Sequence, residues 1–291
     1  MLTECPLCGL GKADLHLKLK DYFLTKENFE ILRCKRCGLL YTWPHPTGDS
    51  VGKYYKSDDY LSHNENRMGL IPFFYNIVKQ LNMAGKLRMA TNRTQGRRLL
   101  DFGCGTGDFL RFAQQRDYLV TGADIFPEVC DLASKKLGKQ VVNPDDVFNL
   151  PDSSFDIITM WHVLEHICNL KLLAGQMERL LAVGGRLVVA LPNYQSYDAR
   201  YYKDKWAAYD VPRQLNHFNL QSLKAVFAAT SLQFVDVMPL KWDAYYISIL
   251  SEGYAGHRNA FVKGILNGFK SNCSARKSGQ YSSCVYIFEK N

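Results

Sequence analysis

The chain has 291 residues, 47% hydrophobic and 22% charged, with 36 Lys and Arg against 28 Asp and Glu for a net charge of +8. That balance excludes a disordered or fibrous chain and allows a large buried core. No apolar run reaches the length of a membrane span and the opening Met-Leu-Thr-Glu-Cys-Pro lacks the regions of a signal peptide, so a cytoplasmic location is expected, with the nine cysteines as thiols or metal ligands rather than disulfides.

In chain order, residues 1–45 carry two knuckles, Cys5-Pro6-Leu7-Cys8-Gly9 and Cys34-Lys35-Arg36-Cys37-Gly38, separated by a strand-rich segment. Each CxxC can curl two thiolates around one ion while the following glycine relieves the turn. Cys5, Cys8, Cys34 and Cys37 are therefore expected to form a small zinc ribbon, structural because sulfur fills all four positions. An iron site shares this spacing. A redox CxxC pair is the rival reading, but it would normally be a single motif at a strand-to-helix junction. Residues 46–95 read as a bridging segment with a helix around 67–92, because Leu70, Phe73, Phe74, Ile77, Val78, Leu81 and Leu87 recur near helical spacing.

From residue 96 the pattern changes to alternating strands and helices. Leu99-Leu100-Asp101-Phe102-Gly103-Cys104-Gly105-Thr106-Gly107 reads as a buried strand entering a glycine turn that opens a helix at Asp108. Gly103, Gly105 and Gly107 let the backbone approach a ligand closely, as a nucleotide cradle requires. A dinucleotide fingerprint would place glycine or alanine at the position held by Asp108, so the pattern is GxGxG. Tyr118 to Asp124 reads as a second strand ending in an acid, and Asp145 and Asp146 precede Val147-Phe148-Asn149-Leu150-Pro151. Ser154 to His166 and Gly184 to Asn193 each contain a further buried strand.

These motifs, in this order, resemble the class I AdoMet-dependent methyltransferases over about residues 96–240. The resemblance implies a doubly wound α/β fold with a seven-stranded, mostly parallel, Rossmann-like sheet. It places the cofactor S-adenosyl-L-methionine (AdoMet) on Asp101, Gly103, Gly105 and Gly107, with Asp124 at the ribose and Asp146 or Asp145 near the adenine, Asp146 being favoured. Trp161 would lie in the turn beneath the methionine end. The methyltransferase domain then spans 96–291, with cap insertions at 194–218 and 240–280. By the same resemblance, Tyr54, Tyr55 and Tyr60 would have access to the site.

The first cap holds seven aromatic residues between Tyr194 and Phe218 interleaved with Arg200, Lys203, Lys205 and Arg213, and it would either bind the acceptor or fill its own core. A helix from Leu220 to Thr230 capped by Asn219, a strand Phe234 to Met238, a helix from Asn259 to Phe269 and a last strand Ser283 to Glu289 are expected to follow. His162-Val163-Leu164-Glu165-His166 matches the HxxEH zinc-peptidase pattern, but it follows directly on a buried strand and shows no third ligand.

The expected reaction is in-line transfer of a methyl group to the oxygen or carbon of a small-molecule acceptor, aromatic or sugar-like, with alignment supplying most of the rate. A hydroxyl acceptor would need a general base. His162 at the tip of the fourth strand is the first candidate and His217 the second, a structural histidine being the alternative at each. Two other readings stay open. An RNA-modifying methyltransferase would use the net positive charge, although residues 1–50 carry seven Lys and Arg against six Asp and Glu and suit phosphate poorly. A non-catalytic adaptor would keep the AdoMet fold without the chemistry. The knuckles joined to this fold are similar to nucleotide-sugar C-methyltransferases, and Leu191-Pro192-Asn193 with His217-Phe218 resembles quinone O-methyltransferases.

Overall fold

The computed structural model describes residues 4–46, 52–54 and 83–291. Most of the helix expected around 67–92, together with Tyr55 and Tyr60, lies outside the described residues. In chain order the strands are β1 (Ala13–Lys20), β2 (Asn28–Cys34), β3 (Leu40–Trp43), β4 (Arg98–Phe102), β5 (Leu119–Ala123), β6 (Phe155–Trp161), β7 (Leu181–Pro192), β8 (Asn216–His217), β9 (Leu232–Pro239) and β10 (Ser283–Lys290). The helices are α1 (83–91), α2 (Asp108–Gln114), α3 (Pro127–Leu137), α4 (Pro144–Phe148), α5 (Leu170–Leu180), α6 (Tyr197–Tyr202), α7 (Leu220–Val226), α8 (Asp243–Tyr254) and α9 (Ala260–Ser278).

The main sheet has the order β5-β4-β6-β7-β10-β9, parallel from β5 to β7 and antiparallel at β10. Its central strands are buried on both faces, which is why β4, β6 and β7 read as nearly continuous apolar runs rather than alternating ones. Six strands are present, and the seventh position is held by a single parallel bridge, Ala123 to Val142. Local chemistry keeps it short. Gly138, at φ +68°, ends α3, and Pro144 already begins α4 with Asn143 as its cap. Only four residues, 139–142, lie between the two caps, and the chain pairs with β5 at Val142 alone. Asn219 caps α7 in a reciprocal pair with Ser222, but α7 stops at Val226, whereas α9 runs on to Ser278.

The N-terminal sheet is β1-β2-β3 with β8 added to its open edge, Leu40 opposite His217 and Tyr41 opposite Asn216. Thr42 N–H donates to Leu215 O at 2.9 Å beside this pairing. A strand from the first cap thus completes the ribbon's sheet. Cys5, Leu7, Leu39 and Tyr41 belong to the same buried cluster as Leu100, Ile158 and Leu187 of the main sheet.

A buried ionic clamp ties the two parts together. Asp21 begins the turn between β1 and β2 and accepts the N–H groups of Phe23, Leu24 and Thr25. The Arg213 guanidinium bonds Asp21 at 2.8 Å and Asp210 at 2.6 Å, donates to Tyr54 O at 3.2 Å, and lies 4.9 Å from the Phe23 ring. Burial raises the Asp21 carboxyl, but Arg213 and the turn's N–H groups more than offset this and hold it at about 2. Tyr54 is itself buried, its hydroxyl bonded to Glu27 at 2.7 Å, so it serves this junction.

Removing the cation would strand the fully buried Asp21 carboxylate, with the half-buried Asp210 beside it. Arg213→Ala is expected to lower unfolding free energy by about 3–5 kcal/mol, read as a fall in the urea midpoint; a loss below about 1 kcal/mol would show the clamp to be dispensable.

Candidate active site

The chain leaves β4 through three glycines in the left-handed region, Gly103 at φ +80°, Gly105 at +52° and Gly107 at +75°. The N–H groups of Gly103 and Cys104 both donate to Ala123 O, at 2.7 and 3.0 Å, which draws the loop over the end of β5. A Cβ on Gly103 would stand 2.3 Å from Val163 Cγ2, so this glycine is required by packing. At Gly105 nothing lies within 4 Å of the Cβ position, and the N–H instead donates to Asp124 Oδ2 at 2.9 Å. The second oxygen of Asp124 accepts Phe126 N–H at 3.2 Å. Asp124, itself buried, therefore fixes the loop through both carboxylate oxygens.

Asp101 lies beneath the loop rather than on it. It is 2% exposed and accepts the Thr159 hydroxyl at 2.6 Å; burial raises its carboxyl to about 7 despite that bond and the nearby Lys86 cation. Lys86 comes from α1 and stands 4.6 Å above the Trp161 ring, which meets Phe109 edge-on at 5.5 Å. The Trp161 indole N–H is buried with no hydrogen-bond partner among the described residues. A buried donor of this kind calls for an acceptor from a ligand or solvent. On α4, Asp145 and Asp146 are both exposed in the first turn, while Phe148 stacks on Phe102 at 5.8 Å. The open cradle face, the Asp124 carboxylate and the orphaned indole N–H together fit an adenosyl cofactor with an amino-acid end.

At the end of β6 the backbone reverses sharply, with His162 at φ +59°. Only a short 3₁₀ turn, Leu164–His166, follows, so His162 and His166 do not share a helix face as the peptidase pattern would require. His166 Nδ1 instead lies 2.8 Å from Arg213 O. His162 Nε2 is 3.1 Å from Asp243 Oδ2, and its Nδ1 is 3.4 Å from Glu165 Oε1. Burial lowers the imidazole, but the two carboxylates outweigh it and raise it to about 9. It is a cation at neutral pH.

His217 is placed differently. It is buried in β8, its Nε2 3.1 Å from Thr42 Oγ1, with Tyr209 edge-on at 5.3 Å. The Thr42 hydroxyl donates to Gln214 O at 2.7 Å, so its oxygen accepts from His217 and the proton sits on Nε2. Burial lowers this imidazole to about 3, which keeps it neutral.

A cavity of about 370 Å³ opens beside His162. Pro192 of β7, Ala207 and Asp210 of the first cap, Asp243 and Ile247 of α8, and Phe23 of the ribbon turn contribute to its walls. His162 and Asp243 line it, whereas His217 does not. Most of the cap's aromatics are absent from the walls because Tyr194, Tyr202, Trp206 and Tyr209 pack into a core shared with Phe29, Ile31 and Leu40 of the ribbon and Ile247 of α8. Asp198 holds that core through Trp206 Nε1 at 2.8 Å and Ser271 Oγ at 2.7 Å.

A model of the methyltransferase domain matches residues 76–237, more than half of the chain. The chain belongs to the class I AdoMet-dependent methyltransferases. It is 35% identical over 102 residues to a demethylmenaquinone methyltransferase of Tropheryma whipplei (strain Twist), a stretch covering 33% of this chain and 42% of that enzyme. It is 28% identical over 157 residues to a malonyl-[acyl-carrier protein] O-methyltransferase of Serratia marcescens, covering 50% and 61%. Among solved structures, phosphoethanolamine N-methyltransferase 2 of Haemonchus contortus in complex with S-adenosyl-L-methionine superposes with a TM-score of 0.50 at 17% identity, over 72% of this chain and 52% of that one. The chain spans about half the length of the curated relatives it matches.

The four knuckle sulfurs all lie within 4.8 Å of one another, Cys5 to Cys37 and Cys8 to Cys34 each at 3.5 Å. A tetrahedral zinc with bonds of about 2.3 Å needs sulfurs about 3.8 Å apart, so the cluster fits that ion. The knuckles are built alike: Gly9 N–H donates to Cys5 O and Gly38 N–H to Cys34 O, at 2.9 and 3.0 Å, with φ +71° and +73°. Burial raises the Cys34 thiol, but the N–H groups of Cys37 and Arg36 aimed at its sulfur bring it down to about 7.

Gly105→Ala is expected to cost about 1–2 kcal/mol of backbone strain while lowering AdoMet affinity at least about tenfold by calorimetry, because the added methyl enters the ligand space. Unchanged affinity would remove Gly105 from the site. A cobalt(II) titration is expected to saturate at about one ion per chain with thiolate charge-transfer absorption, and Cys34→Ser to weaken it; saturation without that absorption would reject the four-sulfur site.

Proposed function

We propose that the protein transfers the methyl group of AdoMet to the oxygen or carbon of a small-molecule acceptor held in the cavity beside His162. One observation carries this reading: the residue pair at the end of β6 joins the two sites. Trp161, whose buried indole N–H lacks a partner among the described residues, packs against Phe109 of α2, the helix that the glycine turn opens, and the next residue, His162, lines the cavity. Bound AdoMet supplies an electrophilic sulfonium methyl. The acceptor's lone pair forms the new bond to that carbon as the carbon–sulfur bond breaks, and S-adenosylhomocysteine leaves with the bonding electrons.

The protein's part is alignment, worth about 7–11 kcal/mol when two reactants are held in line. Phe23, Ile247 and Tyr254 offer apolar and aromatic surface, and His162, Asp243 and Asp210 supply polar contacts at one end. Such walls favour an aromatic acceptor over a sugar. The cluster of four cysteines would carry zinc and brace the ribbon, whose Phe23 reaches the cavity; as thiolates they suit a reducing, cytoplasmic setting.

His162 acts as base only after losing its proton to solvent. If the acceptor is a hydroxyl, kcat/KM is expected to rise as pH increases towards about 9 and then level, because the competent form lies above the imidazole's raised value. His162→Ala should flatten that limb and lower the rate about 10²- to 10⁴-fold. The direct test is transfer of labelled methyl from AdoMet into metabolite extracts, followed by mass spectrometry. Label appearing only in RNA, or in nothing under conditions where AdoMet binds, would overturn the reading.

A further inference from the structure

The outer face of α9 is apolar and faces solvent. Its inner face packs on α8 so closely that a Cβ on Gly264 would lie 2.5 Å from Ile249, and one on Gly268 2.8 Å from Tyr245. On the opposite side Phe261, Val262, Ile265, Leu266 and Phe269 are between 40% and 66% exposed. At helical spacing these five fall on an arc of about 140°, a wide stripe of the kind that a helix normally buries. No described residue covers it.

Charge identifies what this stripe fits. Arg258, Lys263, Lys270, Arg276 and Lys277 are all exposed, and no Asp or Glu occurs between Glu252 and Glu289. Lys263, Lys270 and Lys277 repeat every seven residues and so form a row along one border of the apolar arc. A second copy of this chain would bring the same cations face to face, which opposes self-association. RNA would pair with the lysines but leave the phenylalanines and leucines without apolar contact.

We propose that α9 docks in the plane of an anionic lipid bilayer, its apolar arc entering the acyl boundary and its lysines meeting the headgroups. A large apolar stripe bordered only by cations is the pattern of interfacial helices. No helix among the described residues is long and apolar enough to cross a membrane, so the contact is with one face of it. Tyr246 of α8, 58% exposed, is part of the cavity wall.

The test is flotation of the full, zinc-loaded chain with vesicles of phosphatidylcholine alone or mixed with phosphatidylglycerol. Binding is expected only to the anionic vesicles and should fall at about 0.5 M salt. The triple variant Lys263→Glu, Lys270→Glu, Lys277→Glu should weaken it at least about tenfold, and Phe261→Ser with Phe269→Ser should abolish it. Equal binding to both vesicle types, no binding to either, or insensitivity to both variants would overturn the proposal. So would a dimer in sedimentation that the phenylalanine variant dissolves, or displacement from vesicles by RNA that depends on the lysines alone. AdoMet binding by calorimetry should be unchanged in every variant, which shows that they fold; failure of the parent chain to bind AdoMet would count against the methyltransferase reading and leave the docking result standing.

Discussion

The Arg213 guanidinium, held by Asp21 and Asp210, is the interaction that joins the ribbon to the cap beside the His162 cavity. It joins a turn of the ribbon, a residue of the cap and the carbonyl of Tyr54, three points remote in sequence. The buried Asp21 carboxylate needs that cation, and the buried cation needs Asp21 from the ribbon as well as the half-buried Asp210 from the cap, so the junction holds only when ribbon and cap are together. Phe23 and Asp210, both held by this junction, form part of the cavity wall. The ribbon thereby contributes to the wall of the cavity beside His162. The pairing of β8 with β3 reinforces the same joint through the backbone, and His217 through a hydrogen bond to Thr42.

The cofactor side follows a different logic. Its geometry comes from a continuous stretch of chain, the end of β4, the glycine turn and the end of β5, where Ala123 O receives two successive N–H groups and Asp124 a third. Each glycine has its own reason. Gly103 makes room for Val163, Gly105 turns through φ +52° with open space at its Cβ position, and Gly107 leads into α2 against Ala133. Lys86 enters this side from α1 and brings a cation close to Asp101 and Asp243, linking the acid under the loop to the one that holds His162.

The His162 arrangement shows why position alone does not assign chemistry. A histidine at the tip of β6 faces the cavity, as the sequence leads one to expect, but Asp243 and Glu165 flank both ring nitrogens and favour the charged form. Neither carboxylate's approach is visible from the neighbouring residues: Asp243 lies 81 positions away, and Glu165 reaches back only because the positive φ of His162 turns the chain on itself. The aromatic cap makes the same point. Its composition suits both a binding surface and a core, and burial of Asp198 beneath Trp206, Ser271 and Ser282 makes it a core.

What the sequence determined by itself is whatever depends on short-range covalent spacing. The two knuckles, the glycine cradle, Asp124 at the end of β5 and the buried strands of the sheet were all legible, because a turn, a pair of thiolates or a two-sided buried strand is encoded by residues next to one another. Tertiary structure decided the rest. The reduction of the seventh strand to one bridge, the completion of the ribbon by β8, the Lys86 approach, the Arg213 clamp and the cavity walls all depend on contacts between distant segments. Whether a buried charge is paired, and whether an aromatic side chain faces a ligand or its own neighbours, is settled by desolvation and packing across the whole fold, and no local pattern of residues carries that information.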